Sequence, residues 1–598
     1  MLYPSLKEQA LTAVILTLTL PSSAAVQPPL AQLDRRPITD TLSHERRSNV
    51  TASCRALPGD SHWPNQASWN KLNSTVRGRL LRGTPLASKV CYGNTYDASA
   101  CGVLESQWPT VDPYLGDPVT VMSPYWLNNT CSPFAGLSAE CDLGNLASYA
   151  INVSSVGDII AGVNFVRDNN IRLTIKNTGH DYLGRSTGAG ALALWTHHLK
   201  DMSFFTYKSQ SYTGAAARLG AGSQVQEVYE AASAHGLRVA GGGCPTVGIA
   251  GWLQGGGHGP LSSQLGLGAD NVLEFEVVTA DGKHVVASAT ENSDLFWALS
   301  GGGSGNYAIL VSITVRAYRD GPVAGSAFTF LNSNSDAYWG AIKAWLNNLE
   351  VLDADYPTLK TAITFTSSYF TLNFATFADK TADQLNDALG PFYKDLASLG
   401  IDLIDNQTFV APDYASHYKY FAGHQPEAVN QTVGSRLIPR STVRDNMSQF
   451  VATIRNITEQ WPDAVFVFVG TNVTHANVGN QPGSNAVLPA WRDALLLLNF
   501  GRFLSPDAGW EEISAVQAEV NSWQGIFRQL TPSSGSYLNE ATWDDPDWKV
   551  DYFGSNYDRL ARIKAKYDPG YVLWAEAAVG SDTVWKVDAT GRMCRRSK

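Results

Sequence analysis

Lys176-Asn177-Thr178-Gly179-His180-Asp181-Tyr182-Leu183-Gly184-Arg185 and Ala240-Gly241-Gly242-Gly243-Cys244-Pro245-Thr246-Val247-Gly248 decide how this chain is read. Each sets one nucleophilic side chain, His180 or Cys244, in a glycine-rich turn after a β-patterned run, 171–175 or 237–240. Glycine at that density lets backbone N–H groups come closer to a ligand than any larger residue allows. Imidazole and thiolate both add to electrophilic rings. Two of them presented in the same way would tether one large electrophilic cofactor at two points.

On either side, strand and helix patterns alternate from about position 118. Residues 149–153 and 191–195 read as strands, and 156–169 as a helix with Val156, Ile159, Ile160, Val163 and Val166 on one face. A helix over 224–235 closes at Gly236, a usual C-terminal cap. Then come Gly255-Gly256-Gly257-His258-Gly259, a strand over 272–279, a hairpin signal at Asp281-Gly282 followed by 285–287, a short helix over 291–299 and a strand over 309–315. From about 322 the texture changes. Helical stretches at 339–349 and 381–389 alternate with β runs at 361–365, 369–374 and 464–469, an α+β pattern with enough strand to wall a pocket. After about 536, turns and aromatics return, and a helix over 556–567 stops at Asp568-Pro569-Gly570. Residues 26–115 are rich in Ser, Pro, Asn and Arg, with weak periodicity, and read as an irregular extension.

The length of 598 residues suggests three to five domains. With 44% apolar and 16% charged residues, the chain can bury a large core and is not disordered. Its formal charge of -10 argues against a nucleic-acid partner, which demands a basic face. No stretch is long and apolar enough to span a membrane, and the N-terminal apolar run from Leu11 to Leu20 is too short. With Lys7 before it and Ser23-Ala24-Ala25 after it, that run reads as a secretory signal peptide, residues 1–25. Nine Asn-x-Ser/Thr sites fit export: Asn49, Asn73, Asn128, Asn152, Asn406, Asn430, Asn446, Asn456 and Asn472. The seven cysteines fit it too. Spacing suggests Cys91 with Cys101 and Cys131 with Cys141; Cys54 and Cys594 would then join the termini and leave Cys244 unpaired. No CxxC, HExxH or clustered His/Cys pattern is present, so no metal site is expected.

The chain has no GxxxxGK[ST], no GxSxG elbow and no clean dinucleotide fingerprint. What it has is Gly179-His180-x-Tyr182-x-Gly184, Gly242-x-Cys244-Pro245-Thr246-Val247-Gly248, a Tyr552–Leu560 stretch with Phe553, Gly554, Asn556 and Arg559, and Asp568-Pro569. This set resembles the flavin-dependent oxidases of the vanillyl-alcohol-oxidase superfamily, in their berberine-bridge-enzyme-like branch, over about 118–320 and 536–580. The resemblance implies an α+β fold: a two-part, PCMH-type FAD-binding domain at 118–320, completed by the C-terminal return segment 536–598. An α+β substrate-binding domain, 321–535, is inserted, and an N-terminal extension occupies 26–117. It further implies FAD attached twice, through His180 to the 8α-methyl and through Cys244 to the 6-position. Gly179, Tyr182, Gly184, Gly242, Gly243, Thr246, Gly248, Gly256, Gly257, His258 and Asn556 would complete the cofactor site.

In sugar-oxidising members of that family, a tyrosine following a Tyr-x-Asn pattern takes the substrate hydroxyl proton. Tyr537-Leu538-Asn539 matches, but Glu540 stands where that tyrosine is expected, which counts against a sugar. A desolvated carboxylate has its pKa raised towards the operating range and can act as the base; the plainer reading of Glu540 is a solvated surface group. Asn539 and Tyr182 complete the candidate catalytic set, with Tyr182 either packing the flavin or touching substrate. Asp181 either tunes His180 or bonds a loop amide. Gly242 leaves room at the flavin face, where the family tunes its reaction with oxygen, and His258 reads as structural.

The expected function is that of a secreted FAD-dependent oxidase moving a hydride from an alcohol, sugar or secondary metabolite to the flavin, with molecular oxygen converted to H2O2. Its partners would be a bulky small molecule or oligosaccharide and O2, with no nucleic acid and no membrane; the oligomeric state stays open. A flavin dehydrogenase or an oxidative cyclase would use the same fold. A non-enzymatic secreted binding protein would leave the glycine motifs unexplained, and a hydrolase would need a triad that is not found.

Overall fold

Strands Leu80–Arg82 (β1), Tyr149–Asn152 (β2), Leu173–Lys176 (β3) and Leu192–Trp195 (β4) make a sheet in the order β1-β2-β4-β3. The computed structural model that shows this describes residues 54–423, 430–588 and 590–596. All lie in the unit Leu42–Lys598, one of two into which the chain divides. The signal peptide, the start of the N-terminal extension and the Asn49 site fall outside the described residues. Strand β4 runs parallel to β2 and β3 and is buried along its whole length, which is why it reads as an unbroken apolar run. Helix Val156–Asp168 follows β2, with the Ser155 hydroxyl accepting from the Asp158 N–H at its start. Its Ile159, Val163 and Val166 pack with Ile151 and Leu194 of the sheet. The extension is less irregular than its sequence: β1 pairs antiparallel with β2, and Trp69, Leu72 and Val76 join the same core. Three residues are too few for a periodicity to register.

A second group comprises Met202–Lys208 (β5), Thr213–Gly220 (β6), Leu237–Arg238 (β7), Val272–Thr279 (β8), His284–Ser288 (β9), Ala308–Arg316 (β10) and Tyr318–Arg319 (β11). Strands β5-β6-β10-β8-β9 form an antiparallel sheet in that order, while β7 pairs with β11.

The third sheet has seven antiparallel strands: Val323–Leu331 (β12), Lys360–Phe365 (β13), Tyr369–Ala378 (β14), Ile404–Ala411 (β15), Gln431–Pro439 (β16), Val465–Gly470 (β17) and Ala494–Phe503 (β18). Their order is β15-β12-β14-β13-β17-β18-β16. Helices Ser335–Asp355, Ala382–Ser398, Arg440–Gln460 and Trp510–Leu530 contribute to one large core with this sheet. Strand alternation decides the division of labour. Phe466, Phe468, Leu496 and Leu498 enter that core, whereas Val465, Val467, Asn499 and Gly501 line a cavity.

The return segment runs beside β16: the Leu437 N–H donates to the Gly535 carbonyl, and the Tyr537 N–H to the Ser435 hydroxyl. A buried charge fastens the two halves. The Asp270 carboxylate accepts from Arg492, Asn480, Asn485 and the Leu267 N–H. The disulfides are Cys54–Cys594, Cys91–Cys101 and Cys131–Cys141, as the spacing suggests, and Cys244 is free. Among the described residues no helix is long and apolar enough to cross a membrane, and no group of three or more His, Cys, Asp or Glu could hold a metal ion.

Candidate active site

Strand β3 ends at Lys176 and delivers the first glycine loop to a cavity of about 440 Å3. Lys176 is wholly buried, with Nζ donating to the carbonyls of Tyr114 (3.1 Å) and Asp117 (2.7 Å). Burial lowers its pKa to about 8, against the pull of Asp117. At Gly179 the backbone takes φ +97°, a conformation side-chain-bearing residues rarely adopt. Beyond it the loop is self-braced. The Asp181 carboxylate accepts from the N–H groups of Leu183 (3.0 Å) and Ser186 (2.8 Å), so of its two readings it bonds loop amides. Trp126 Nε1 donates to the Tyr182 carbonyl at 2.8 Å, and its ring occupies the space a side chain at Gly184 would need.

The two nucleophiles meet on one hydroxyl. His180 Nε2 lies 2.7 Å from Thr246 Oγ1, and Cys244 Sγ lies 3.6 Å from the same oxygen. Burial, helped by the positive charge of Lys176, brings the His180 pKa down to about 4, so the imidazole is neutral at neutral pH. Burial pushes the Cys244 thiol up, while Thr246 and the Val247 N–H pull the other way. Gly243 and Gly248 line the cavity with them. A Cβ at Gly242 would meet Trp252 and Val225 at 3.3–3.4 Å, so the packing behind the loop is what asks for a small residue there.

Glu540 lines the same cavity and is no solvated surface group. Its Oε1 accepts from His258 Nε2 at 3.0 Å and its Oε2 from Asn499 Nδ2 at 2.7 Å. Burial acts to raise its pKa, but His258, the Asn499 amide and the charge of Lys360 outweigh it and hold the carboxyl below its usual range. That reverses the expected upward shift, because sequence alone does not reveal those three partners. Lys360 on β13 is wholly buried against the Thr471 hydroxyl, and burial lowers its pKa to about 7. His258, read as structural, is thus the direct partner of the candidate base. The Tyr537 ring stands edge-on to it, centroids 5.0 Å apart. Burial pushes the Tyr537 phenol far above its usual pKa, so it stays protonated.

The other candidates are placed as follows. Tyr182 lines the cavity, its hydroxyl 3.3 Å from Gln431 Nε2. Asn539 also lines it, but its Nδ2 donates to Tyr537 Oη (2.8 Å) and the Trp252 carbonyl (2.9 Å), so it braces neighbours. Gly256 and Gly257 lie behind the lining, where a Cβ at Gly257 would enter the Trp252 ring. Asn556 is also behind it, holding the Ala486 and Val487 carbonyls. Sequence reading missed Asn499, Lys360, Gln431 and Arg185. Arg185 closes the first glycine motif, and Asn499 leaves a trace as the polar break in an apolar run that starts at Ala494.

Along the glycine-loop side, Asn177 Oδ1, Arg185 Nε and Nη2, and Gln254 Oε1 are buried without hydrogen-bond partners among the described residues. Buried polar atoms call for partners, and a long, polar, anionic cofactor with an amide-bearing ring supplies them. The residues present fit FAD.

Comparison with known proteins agrees. The family described as FAD binding domain matches residues 147–288, and the one described as berberine and berberine like matches residues 536–580. Over 563 residues the chain is 42% identical to a VAO-type flavoprotein oxidase of Thermothelomyces thermophilus, spanning 92% of this chain and 96% of that one. A crystal structure of a VAO-type flavoprotein from Myceliophthora thermophila C1 matches with TM-score 0.85 at 41% identity, over 91% of this chain and 100% of the other. Glucooligosaccharide oxidase from Acremonium strictum, described with a 6-S-cysteinyl, 8α-N1-histidyl FAD, shares the fold at 20% identity and TM-score 0.57, over 73% of this chain and 92% of its own. The chain belongs to the vanillyl-alcohol-oxidase-type, berberine-bridge-like family of FAD-linked oxidases. It is an FAD-dependent enzyme with the α+β, PCMH-type fold and inserted sheet domain that its motifs imply.

Proposed function

We propose that the protein is a secreted oxidase in which His180 and Cys244 hold one FAD at two points and Glu540 takes the proton of a substrate hydroxyl. The observation that carries this reading is the meeting of His180 and Cys244 on the Thr246 hydroxyl, in the cavity that contains Glu540. FAD bound there supplies a hydride acceptor and, with O2 as co-substrate, a route for two electrons to H2O2. A neutral imidazole has the lone pair that bond formation needs, and burial keeps His180 neutral. The Thr246 hydroxyl can accept from one nucleophile while donating to the other. Asn177, Arg185 and Gln254 are the residues to pair with the cofactor's polar edges. As a hydride leaves the substrate carbon, the hydroxyl proton becomes strongly acidic, so even a weakly basic carboxylate suffices. His258 and Asn499 hold that carboxylate in place. The same reading assigns FAD binding to 118–320 with 536–598 and substrate binding to 321–535; the start of β12 at Val323 supports the first boundary.

The test is the visible spectrum of the purified protein before and after acid precipitation, with peptide masses. Colour is expected to stay in the pellet, with flavin on the peptides of His180 and Cys244. Colour released to the supernatant sinks the two-point attachment. A protein exported through the secretory route should also carry glycans on the exposed Asn406, Asn446 and Asn456. None is expected on Asn430 or Asn472, which are only 7% and 9% exposed. Glycopeptide mapping of the secreted protein checks this, and a glycan on either buried asparagine contradicts it.

A further inference from the structure

We infer that the substrate is a predominantly apolar molecule carrying one oxidisable hydroxyl, such as a terpenoid or aryl-alkyl alcohol, rather than an oligosaccharide. This rests on the reading of the cavity as an FAD oxidase site and narrows its substrate. The cavity has two unlike sides. The unpartnered polar atoms of Asn177, Arg185 and Gln254 gather by the glycine loops, where a cofactor uses them. Another wall is the face of β16, β17 and β18. There Val433, Gly501 and Val465 sit in one row across three strands, with Val467 in the next row beside Asn499 and Phe503 opposite Gln431. Gly501 leaves the middle of the first row without a side chain, so the wall offers a broad apolar strip. The Phe503 ring, 51% exposed, extends that strip outward.

The polar side chains of this wall already have partners. The Gln431 amide donates to Tyr182, and the Arg502 guanidinium is held by Asp463 and Glu519. The Asn499 amide donates to Glu540. Its Oδ1, beside that carboxylate, remains as a buried acceptor without a partner among the described residues. The polar anchor beside the candidate base is therefore at Glu540 and Asn499, with Val467 paired next to Asn499 and Val433 and Val465 one row on; the Tyr182–Gln431 pair is a second polar point, nearer Phe503. A sugar oligomer would press a hydroxyl from nearly every carbon against those valines, and each hydroxyl stripped of water without a new partner opposes binding. An apolar chain or ring loses only water it is better without. No uncommitted charge faces this wall among the described residues, so an ionised substrate gains nothing there either.

The test uses the flavin-loaded protein, its flavin content and attachment measured first, then titrated without oxygen with farnesol, cinnamyl alcohol or cellotriose. Perturbation or bleaching of the flavin spectrum reports binding. At least one of the two apolar alcohols is expected to give a saturable change, and cellotriose none. Val465→Asp, which sets a carboxylate in the apolar row, should weaken the apolar alcohol by at least about tenfold. Phe503→Ser, at an exposed position that does not threaten folding, should weaken it in the same direction. Saturation by cellotriose, no saturation by either apolar alcohol, or unchanged binding in both variants overturns the inference. A colourless preparation fails at the first step and counts against the oxidase reading, which keeps the two failures apart.

Discussion

Glu540→Gln is expected to slow flavin reduction by about 100- to 10,000-fold, the range a positioned general base contributes, while leaving the flavin attached. The carboxylate has two donors on it, His258 Nε2 and Asn499 Nδ2, and Lys360 nearby as a third source of positive potential. An amide preserves the shape but turns one acceptor into a donor facing a donor, and it removes the negative charge that all three groups stabilise. His180, Cys244 and Thr246 make no hydrogen bond to Glu540, so the attachment should survive. The pH profile separates this base from any other. Because the folded-state pKa lies below the ordinary 4.5, Glu540 is ionised throughout neutral and mildly acidic solution. The rate of reduction should therefore stay flat as pH falls until it passes below that value. Anaerobic stopped-flow with any alcohol that bleaches the flavin measures both. An acid limb near neutrality, or a Gln variant within threefold of the parent, would assign the proton to another group.

Asp270→Ala should cost the folded protein about 3–5 kcal/mol, the loss typical of removing one partner of a buried ion pair. Arg492 reaches Asp270 through two nitrogens, at 2.7 and 3.0 Å, and both side chains are nearly buried. Asn480 and Asn485 donate to the same carboxylate at 2.6 and 2.7 Å. Truncation leaves a guanidinium and two amides facing a void, in the contact that joins the segment around 267–271 to 480–492. Burial acts to raise the Asp270 pKa, but Arg492 and the other donors bring it below its ordinary 3.8. A carboxylate so lowered stabilises the fold fully above that ordinary value and loses its contribution as pH falls through the lowered one. The deficit of the variant in thermal melting should be full at neutral pH and shrink only in strong acid. Equal melting temperatures at neutral pH, or a deficit that grows with acid, contradict this account.

The cofactor half is largely legible in the amino-acid sequence. His180 and Cys244 sit in contiguous motifs, and a glycine-rich turn after a strand is a local arrangement that neighbouring residues dictate. Strands such as β8, whose pattern matches its observed bounds, show up because Glu274 and Glu276 alternate with buried apolar residues in a run that is otherwise buried. By contrast, β6 (TGAAARLG) carries no such pattern, since small residues pack under the sheet without marking a face. The long helices Arg440–Gln460 and Trp510–Leu530 do carry a signal, with Phe450, Ile454 and Ile457 in the first and Ile513, Val516, Val520, Trp523 and Phe527 in the second recurring at helical spacing on a buried face.

The charge state of Glu540 is another matter. It depends on His258, Lys360 and Asn499, from three segments spread over more than two hundred residues of sequence, and no local rule says which of them will face a carboxylate. The character of the substrate wall is likewise a matter of strand register, because a shift of one residue would turn Val465 and Val467 inward and present Phe466 and Phe468 instead. Local chemistry written in short motifs points to the cofactor and to His180 and Cys244 as the candidate points of attachment. Electrostatics and surface character are sums over whatever the fold brings together, so folding alone decides how strongly Glu540 binds its proton and what kind of surface lies beside it.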